Sequence, residues 1–289
     1  MDIQYKVIEN YREVYEYMKK LIFPYHYETD YDLWEKSFNN DADGEGRSLF
    51  SELTTVGAYL NGKLTGFIQY GRSAFGFDDR GEITDAVSYP IIRNFYFTQG
   101  QEKIGCCLLD QALKALSDTQ DRIYAFFHYF GMSCYARHGK LFENFGHIHD
   151  LLLKKGFTIE HENVFYSSRL SETERSSATL RWHELSVGRQ RYCDLVLGDD
   201  IVGGCEVHFL EQKDTAYLRW IFVNSEMCGK GIGSKCMSAL KHDLYQMGIR
   251  RFDTDTAITN IAAQHFYEKN DFSREGITRS YYLTNAPKR

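Results

Sequence analysis

Phe222-Val223-Asn224-Ser225-Glu226-Met227-Cys228-Gly229-Lys230-Gly231-Ile232-Gly233-Ser234 reads as the end of an apolar strand that turns through three alternating glycines into a helix. Glycines remove side chains where backbone must approach a ligand closely. The helix that follows aims unpaired N–H groups and its positive dipole end at the same point. The stretch therefore reads as an anion cradle, suited to a pyrophosphate or a group of similar charge, and taken alone equally as a plain tight connection. Two better-known anion loops do not fit it. A dinucleotide fingerprint asks for Gly-x-Gly-x-x-Gly, and the third residue after Gly231 is Ser234. A P-loop asks for Gly-Lys-Ser/Thr, and Gly229-Lys230 is followed by Gly231.

A second element follows at Thr259-Asn260-Ile261-Ala262-Ala263-Gln264-His265-Phe266-Tyr267-Glu268-Lys269-Asn270-Asp271-Phe272. As a helix it carries Asn260 and Tyr267 on nearly one face, two turns apart. Together the two segments resemble the GNAT acetyltransferase family. That family's first motif ends a strand in Val and continues Arg/Gln-x-x-Gly-x-Gly/Ala, positions held here by Val223, Cys228, Gly231 and Gly233. Its second reads Asn-x-x-Ala-x-x-Phe-Tyr with Gly-Phe shortly after, matched by Asn260, Ala263, Phe266, Tyr267, Asp271 and Phe272. Cys228 departs from the Arg or Gln of the first motif, which removes a side-chain donor and leaves the backbone cradle. Asp271 departs from the Gly before Phe, which touches only a turn.

The resemblance implies a specific site. Acetyl-CoA is the expected cosubstrate, with the backbone of Phe222 and Val223 pairing with pantetheine amides. The N–H groups of Cys228, Gly229, Lys230, Gly231, Ile232, Gly233 and Ser234 would hold the pyrophosphate, and the Asn260 side chain would bond the arm. Tyr267 would protonate the departing CoA thiolate, since a phenol keeps its proton at neutral pH. Read from the residues alone, Asn260 serves equally as a helix N-cap and Tyr267 as a buried aromatic.

At 289 residues the chain suits two domains, and 43% hydrophobic with 15% aromatic residues is ample for packed cores. Net charge is −6, and no basic run forms a nucleic-acid footprint, which disfavours nucleic-acid partners and aminoacyl transfer from tRNA. The seven cysteines are irregularly spaced, without a Cys-x-x-Cys pair, and read as reduced thiols of a cytoplasmic protein. Met1 to Lys6 lacks an apolar signal core and no apolar run spans a bilayer, so neither export nor a membrane partner is expected.

The first half repeats the order of the second. A strand at Tyr5 to Ile8 precedes helices at Tyr11 to Lys20 and Tyr31 to Phe38, and Asn61-Gly62 turns a hairpin. The strand Ile91 to Phe97 then leads into a helix opening at Ile104-Gly105. Superposing Ile104-Gly105 on Ile232-Gly233 places Phe95 on Val223, and counting back from Phe157 places Leu152 on Tyr267. A leucine transfers no proton, so the first copy reads as degenerate, with a structural or substrate-shaping role. The expected fold is α/β (α+β): two tandem GNAT-like domains, each a mixed, mainly antiparallel sheet with a central splayed parallel strand pair and flanking helices. Their expected bounds are 1–168 and 179–289, joined by the polar linker 169–178. Between the first two strands of the second copy there is no room for the helix pair of the first.

The acceptor expected from the resemblance is a primary amine attacking the thioester directly, and it needs a base. On the strand Ile201 to Leu210, Glu206 and His208 share a face opposite Cys205, Val207 and Phe209. Glu206 is the first candidate, ahead of Asp214 and Glu211 in the following turn; a solvated edge residue is its other reading. Asp30, Tyr31, Trp34 and Phe126 to Phe130 would suit a cationic or aromatic amine if they line the pocket. His147-x-His149 lacks a third metal ligand at a set spacing, and no metal is expected. Cys228 has no local His-bearing signature of an acyl-accepting nucleophile. The alternative to a transferase is a non-catalytic acyl-CoA-binding module. A small molecule is favoured over a protein tail as the acceptor, whose identity, like any homo-oligomer, is left open.

Overall fold

The computed structural model describes residues 2–43, 46–117, 122–136, 138–172, 174, 176–183, 189–210 and 214–284. Glu211, one of the weaker base candidates, lies outside them. In chain order the elements are β1 (Ile3–Val7), α1 (Arg12–Met18), α2 (Tyr31–Asn40), β2 (Phe50–Leu60), β3 (Lys63–Ser73), the short β4 (Gly76–Phe77) and β5 (Ile83–Thr84), β6 (Pro90–Phe97), α3 (Glu102–Ala115), β7 (Arg122–Ala125), β8 (Leu141–Phe142), α4 (Gly146–Lys154) and β9 (Thr158–Arg169). They continue with β10 (Ala178–Trp182), β11 (Gln190–Leu197), β12 (Asp200–Phe209), β13 (Thr215–Val223), α5 (Ile232–Gln246), β14 (Arg251–Ala257), α6 (Ile261–Lys269) and β15 (Ser273–Thr284). Asn61 and Gly62 both take positive φ, 52° and 78°, which closes the β2–β3 hairpin as its sequence predicts.

Two compact units emerge, 1–43 with 47–162 and 278–289, and 44–46 with 163–277. The division falls inside β9 and β15, and the polar stretch 169–178 lies within the second unit. In the first unit β1, β2, β3 and β6 pair antiparallel, β7 joins β6 in parallel, and Tyr281 to Thr284 of β15 pair antiparallel with β7. In the second, β10, β11, β12 and β13 pair antiparallel, β14 joins β13 in parallel, and Asn163 to Arg169 of β9 pair antiparallel with β14. Each sheet is thus mixed and mainly antiparallel. Among the described residues no helix is long and apolar enough to cross a membrane.

In the second unit α5 buries Cys236, Met237, Leu240 and Leu244 against Cys193, Cys205, Val207 and Leu218 of the strands. Met247 is 43% exposed, because the helix has ended before it. Gly248 at φ 92° closes the end: its N–H bonds Tyr245 O and that of Ile249 bonds Leu244 O, a Schellman arrangement. Among the described residues no helix stands between β10, which ends at Trp182, and β11, which begins at Gln190.

Lys241 ties α5 to the end of α6. Its Nζ donates to Ser168 Oγ at 2.8 Å and to Asn270 O, and lies 4.5 Å from the Phe272 ring centre. Burial lowers its pKa from 10.5 to about 8, with Asp271 opposing. The unfolded chain therefore binds more protons between those values, and this group's contribution to stability rises with pH across the window from about 8 to 10.5. Denaturant midpoints measured across that window for the protein and Lys241→Met should converge in favour of the protein as pH rises; a constant difference would remove Lys241 as the cause.

Candidate active site

The parallel rows of β13 and β14 run Thr215/Arg251, Ala216/Phe252, Tyr217/Asp253 and Leu218/Thr254, and then stop. At the last row Thr254 Oγ1 donates to Leu218 O at 3.0 Å. On the other side of β13 the register with β12 shifts, Glu206 facing Trp220 and Val207 facing Leu218, so Arg219 is a bulged residue. A bulge bends its strand and increases local twist. β13 thus leaves β14 just past Leu218.

Beyond that point lies a cavity of about 420 Å³. Of the residues expected to hold acetyl-CoA, Phe222, Val223, Cys228, Gly229, Gly231, Gly233, Ser234 and Tyr267 line it. Ile232 is 8% exposed and packs into the core. Lys230 is exposed and, with Asn260, is not among the lining residues. The Asn260 side chain caps α6, its Oδ1 accepting from Ala263 N at 3.1 Å, which is the N-cap alternative. Gly229 and Gly231 both sit at φ 75°, where nothing would meet an added Cβ within 4 Å. They are glycines for the backbone's sake and leave the cradle open. At Gly233 a Cβ would approach the Phe266 ring to 3.1 Å, so this glycine lets α5 pack close to α6. The donor set fits a phosphorylated ligand: backbone N–H groups at a helix start, no acidic side chain among the lining residues, and Lys269, which motif reading missed, at the rim.

Cys228 is exposed, with Sγ 3.7 Å from the carbonyl oxygens of Val223 and Asn224. Tyr267 is 5% exposed, packed by Tyr166, Phe266 and Phe272. Burial raises its phenol pKa and the charge of Asp255 adds to that, while the Thr254 hydroxyl pulls the other way. Asp255, absent from the sequence-based candidates, stands one residue past the final parallel row and accepts from Tyr217 Oη at 2.6 Å. Its signal was the acidic end of Arg251-Phe252-Asp253-Thr254-Asp255, which needed the register to become meaningful. Glu206 shares a cross-strand row with Trp220 and Tyr192. Its Oε2 accepts from Trp220 Nε1 at 2.9 Å and its Oε1 lies 3.3 Å from Arg219 Nε. Asp214 Oδ1 accepts from Thr215 Oγ1 at 3.0 Å.

The first unit has the same plan with different contents. Phe157 N bonds Leu152 O at 3.1 Å as Phe272 N bonds Tyr267 O at 3.1 Å, so Leu152, fully buried, is the counterpart of Tyr267. The superposition of Phe95 on Val223 is displaced by two residues: Phe97, which ends β6, packs its ring against Gly105 as Val223 packs near Gly233. The turn from strand to helix is correspondingly shorter. His147 Nε2 donates to Phe97 O at 2.9 Å and its ring stands edge-on to Phe97 at 4.8 Å, so the strand-end carbonyl is engaged. Arg93, one residue past the final parallel row of β6 and β7, is buried with Nε on Phe130 O at 2.8 Å and Nη1 on Phe38 O at 3.0 Å.

The residues offered for a cationic or aromatic amine belong to the first unit. Trp34 and Phe130 are fully buried in the first unit, Phe126 and Phe127 are nearly so, and Asp30 caps α2. His149 Nδ1 pairs with Tyr281 Oη at 2.9 Å. Among the described residues no three His, Cys, Asp or Glu side chains are grouped to hold a metal.

Residues 156–272 match the model of the acetyltransferase (GNAT) family. A search among curated proteins found no match. Among solved structures, a GCN5-related glucosamine N-acetyltransferase region of a fungal multi-domain β-N-acetylglucosaminidase superposes with a TM-score of 0.63 at 11% identity. That alignment covers 98% of this chain, which spans 38% of the fungal one. A tandem GNAT protein from the clavulanic acid pathway superposes with a TM-score of 0.61 at 10% identity over 100% of both chains. A GNAT-family acetyltransferase from Colwellia psychrerythraea gives 0.52 at 12% identity over 98% of this chain and 100% of its own. The chain therefore carries a domain of the GNAT acetyltransferase family at 156–272, within the fold of a tandem GNAT protein.

Proposed function

We propose that the second unit binds acetyl-CoA and transfers its acetyl group to a primary amine by direct attack, making the protein an N-acetyltransferase. The observation that carries this reading is the buried Tyr267 phenol, lining one cavity with the glycine turn where β13 and β14 part. Cys228 through Ser234 hold the pyrophosphate by their backbone N–H groups, and the exposed edge of Ile221 to Val223 pairs with the pantetheine amides. An alkyl ammonium with a pKa of about 10.4 must lose its proton before attack. As the amine nitrogen bonds to the acetyl carbon the carbon–sulfur bond breaks, and Tyr267 gives its proton to the thiolate. Its raised pKa keeps that proton in place at neutral pH. The residues otherwise position the reactants, which is where most of the rate enhancement arises.

Two carboxylates are offered to the amine. Glu206 already balances Arg219, whereas Asp255 stands at the parting and acts on Tyr267 through its charge. Asp255→Asn should lower kcat/KM by about 10²-fold at neutral pH with partial recovery in alkali, and Glu206→Gln by less. Equal losses with parallel pH profiles would return the role to Glu206.

The first unit, with Leu152 for the acid and His147 on the strand-end carbonyl, binds no acyl-CoA in this reading and serves structure or substrate shaping. Calorimetric titration should therefore give one equivalent of acetyl-CoA per chain, followed by CoA release in an amine screen that includes glucosamine. Two equivalents would make the first unit an active copy. Binding with slow hydrolysis and no amine stimulation would favour a non-catalytic acyl-CoA module, and no binding would remove the transferase reading.

A further inference from the structure

The second unit's sheet has a face that α5 does not cover. Register assigns its residues: Tyr192, Glu206 and Trp220 form one cross-strand row, and Asp194, Gly204 and Phe222 the next. The opposite face carries Cys193, Cys205 and Val207, all buried under α5. On the uncovered face Tyr192, Trp220 and Phe222 are 38%, 37% and 50% exposed. Such a contiguous run of exposed rings, rimmed by polar groups, marks a binding surface, whereas scattered exposed apolar residues are ordinary.

The rings form a built floor. Trp220 and Phe222 lie 5.8 Å apart at an interplanar angle of 27°, and Tyr192 continues the row 5.6 Å from Trp220. Gly204 makes this arrangement fit, since a Cβ there would come within 2.5 Å of Tyr192 Oη and 3.3 Å of the Phe222 ring. Two of the rings reach across the strand because this position has no side chain.

The fringe of the floor is polar and of both signs. Glu206 is held by Trp220 Nε1 and Arg219 at the surface, while Asp194, only 8% exposed, is buried with its Oδ2 paired to His183 Nε2 at 2.9 Å. Each carboxylate oxygen accepts more than one hydrogen bond, so Glu206 keeps acceptor capacity. Phe222 belongs to the floor and also lines the cavity at the strand parting, which makes the two surfaces continuous.

We propose that this floor is the acceptor subsite and that the acceptor is an amino sugar: one apolar ring face lies on Trp220 and Phe222, its hydroxyls meet Glu206 and Arg219, and its ammonium points past Phe222 into the cavity. The inference rests on the acetyltransferase reading for the last of these roles, and the chemistry of the floor selects among amines. An open-chain amine leaves the rings unused. A plain aromatic amine leaves the polar fringe unpaired, which is unfavourable once water is displaced. A ring with an apolar face, a hydroxylated edge and an amine at one end uses the rings, the polar fringe and the cavity together.

The test is glucosamine binding followed by tryptophan fluorescence without acetyl-CoA. Trp34 is fully buried and Trp182 donates to Asp243, so Trp220 is the exposed reporter. Glucosamine should give a saturable change, with ethanolamine and tyramine at least about tenfold weaker. Because removing Trp220 removes the reporter, binding to Trp220→Ala is read by calorimetry, and it should weaken at least about tenfold. Gly204→Ala displaces the end of a flexible tyrosine, leaves the fold intact as checked by thermal melting, and should weaken binding similarly. Glucosamine bound no better than ethanolamine, or equally well by both variants, overturns the inference. So does a dimer in sedimentation that Trp220→Ala dissociates, because the floor would then be an interface between two copies. Acetyl-CoA titration of the same samples separates the two failures. Acetyl-CoA binding with turnover of open-chain amines untouched by Trp220→Ala leaves the transferase reading standing and sinks the subsite, whereas glucosamine binding without acetyl-CoA binding does the reverse.

Discussion

Tyr267→Phe should lower acetyl transfer by roughly 10²-fold or more while acetyl-CoA binds as tightly as before. The substitution removes one hydroxyl and leaves the ring, whose packing against Tyr166, Phe266 and Phe272 holds the α6 face in place. Loss of the hydroxyl's contact with Thr254 costs on the order of 1 kcal/mol of stability. Loss of a positioned acid costs about 3 to 5 kcal/mol in the barrier, so the kinetic effect dominates. The high-pH limb of activity in the unmodified protein should lie above 10.0, the ordinary tyrosine value, because burial raises the Tyr267 pKa. An unaltered turnover number in the variant would take Tyr267 out of the mechanism.

Gly231→Glu should abolish measurable acetyl-CoA binding, a loss of about 10²-fold or more. Two effects act in the same direction. Gly231 has φ 75°, and a residue with a side chain is strained there by about 1 to 2 kcal/mol. The added carboxylate then faces a pyrophosphate, and two like charges 4 Å apart near a protein surface repel by about 4 kcal/mol. Gly231→Ala isolates the strain and should retain most of the binding, since nothing lies within 4 Å of the added methyl. If calorimetry finds Gly231→Glu binding normally while thermal melting shows it folded, the pyrophosphate does not sit in this turn.

Both predictions rest on residues legible before any coordinates. The glycine turn, the Asn61-Gly62 hairpin and the Gly248 helix end depend on φ values open to few residue types. Val223, Gly233 and the Asn260-to-Tyr267 spacing are likewise local, because a helix repeats every few residues and a strand every second one. The equivalence of Leu152 and Tyr267 was countable because the same short turn follows both helices. Asn260 carries two compatible readings, a ligand contact and a helix cap, and its oxygen makes the cap.

The sequence by itself determined the two-copy fold, the cradle and the phenol, because each follows from neighbours within a turn or two of chain. Tertiary structure decided which distant segments pair. Residues 278–284 complete the first unit's sheet and 163–169 the second's, a choice governed by which strand satisfies an open edge, and no local window contains that edge. It also decided the face of each side chain near the site. One bulged residue, Arg219, resets the alternation and sets Trp220 and Glu206 side by side, while the end of parallel pairing gives Asp255 its position. Because the side-chain period of a strand is two, a one-residue shift moves every following side chain to the other face. That shift is visible only when the partner strand is present.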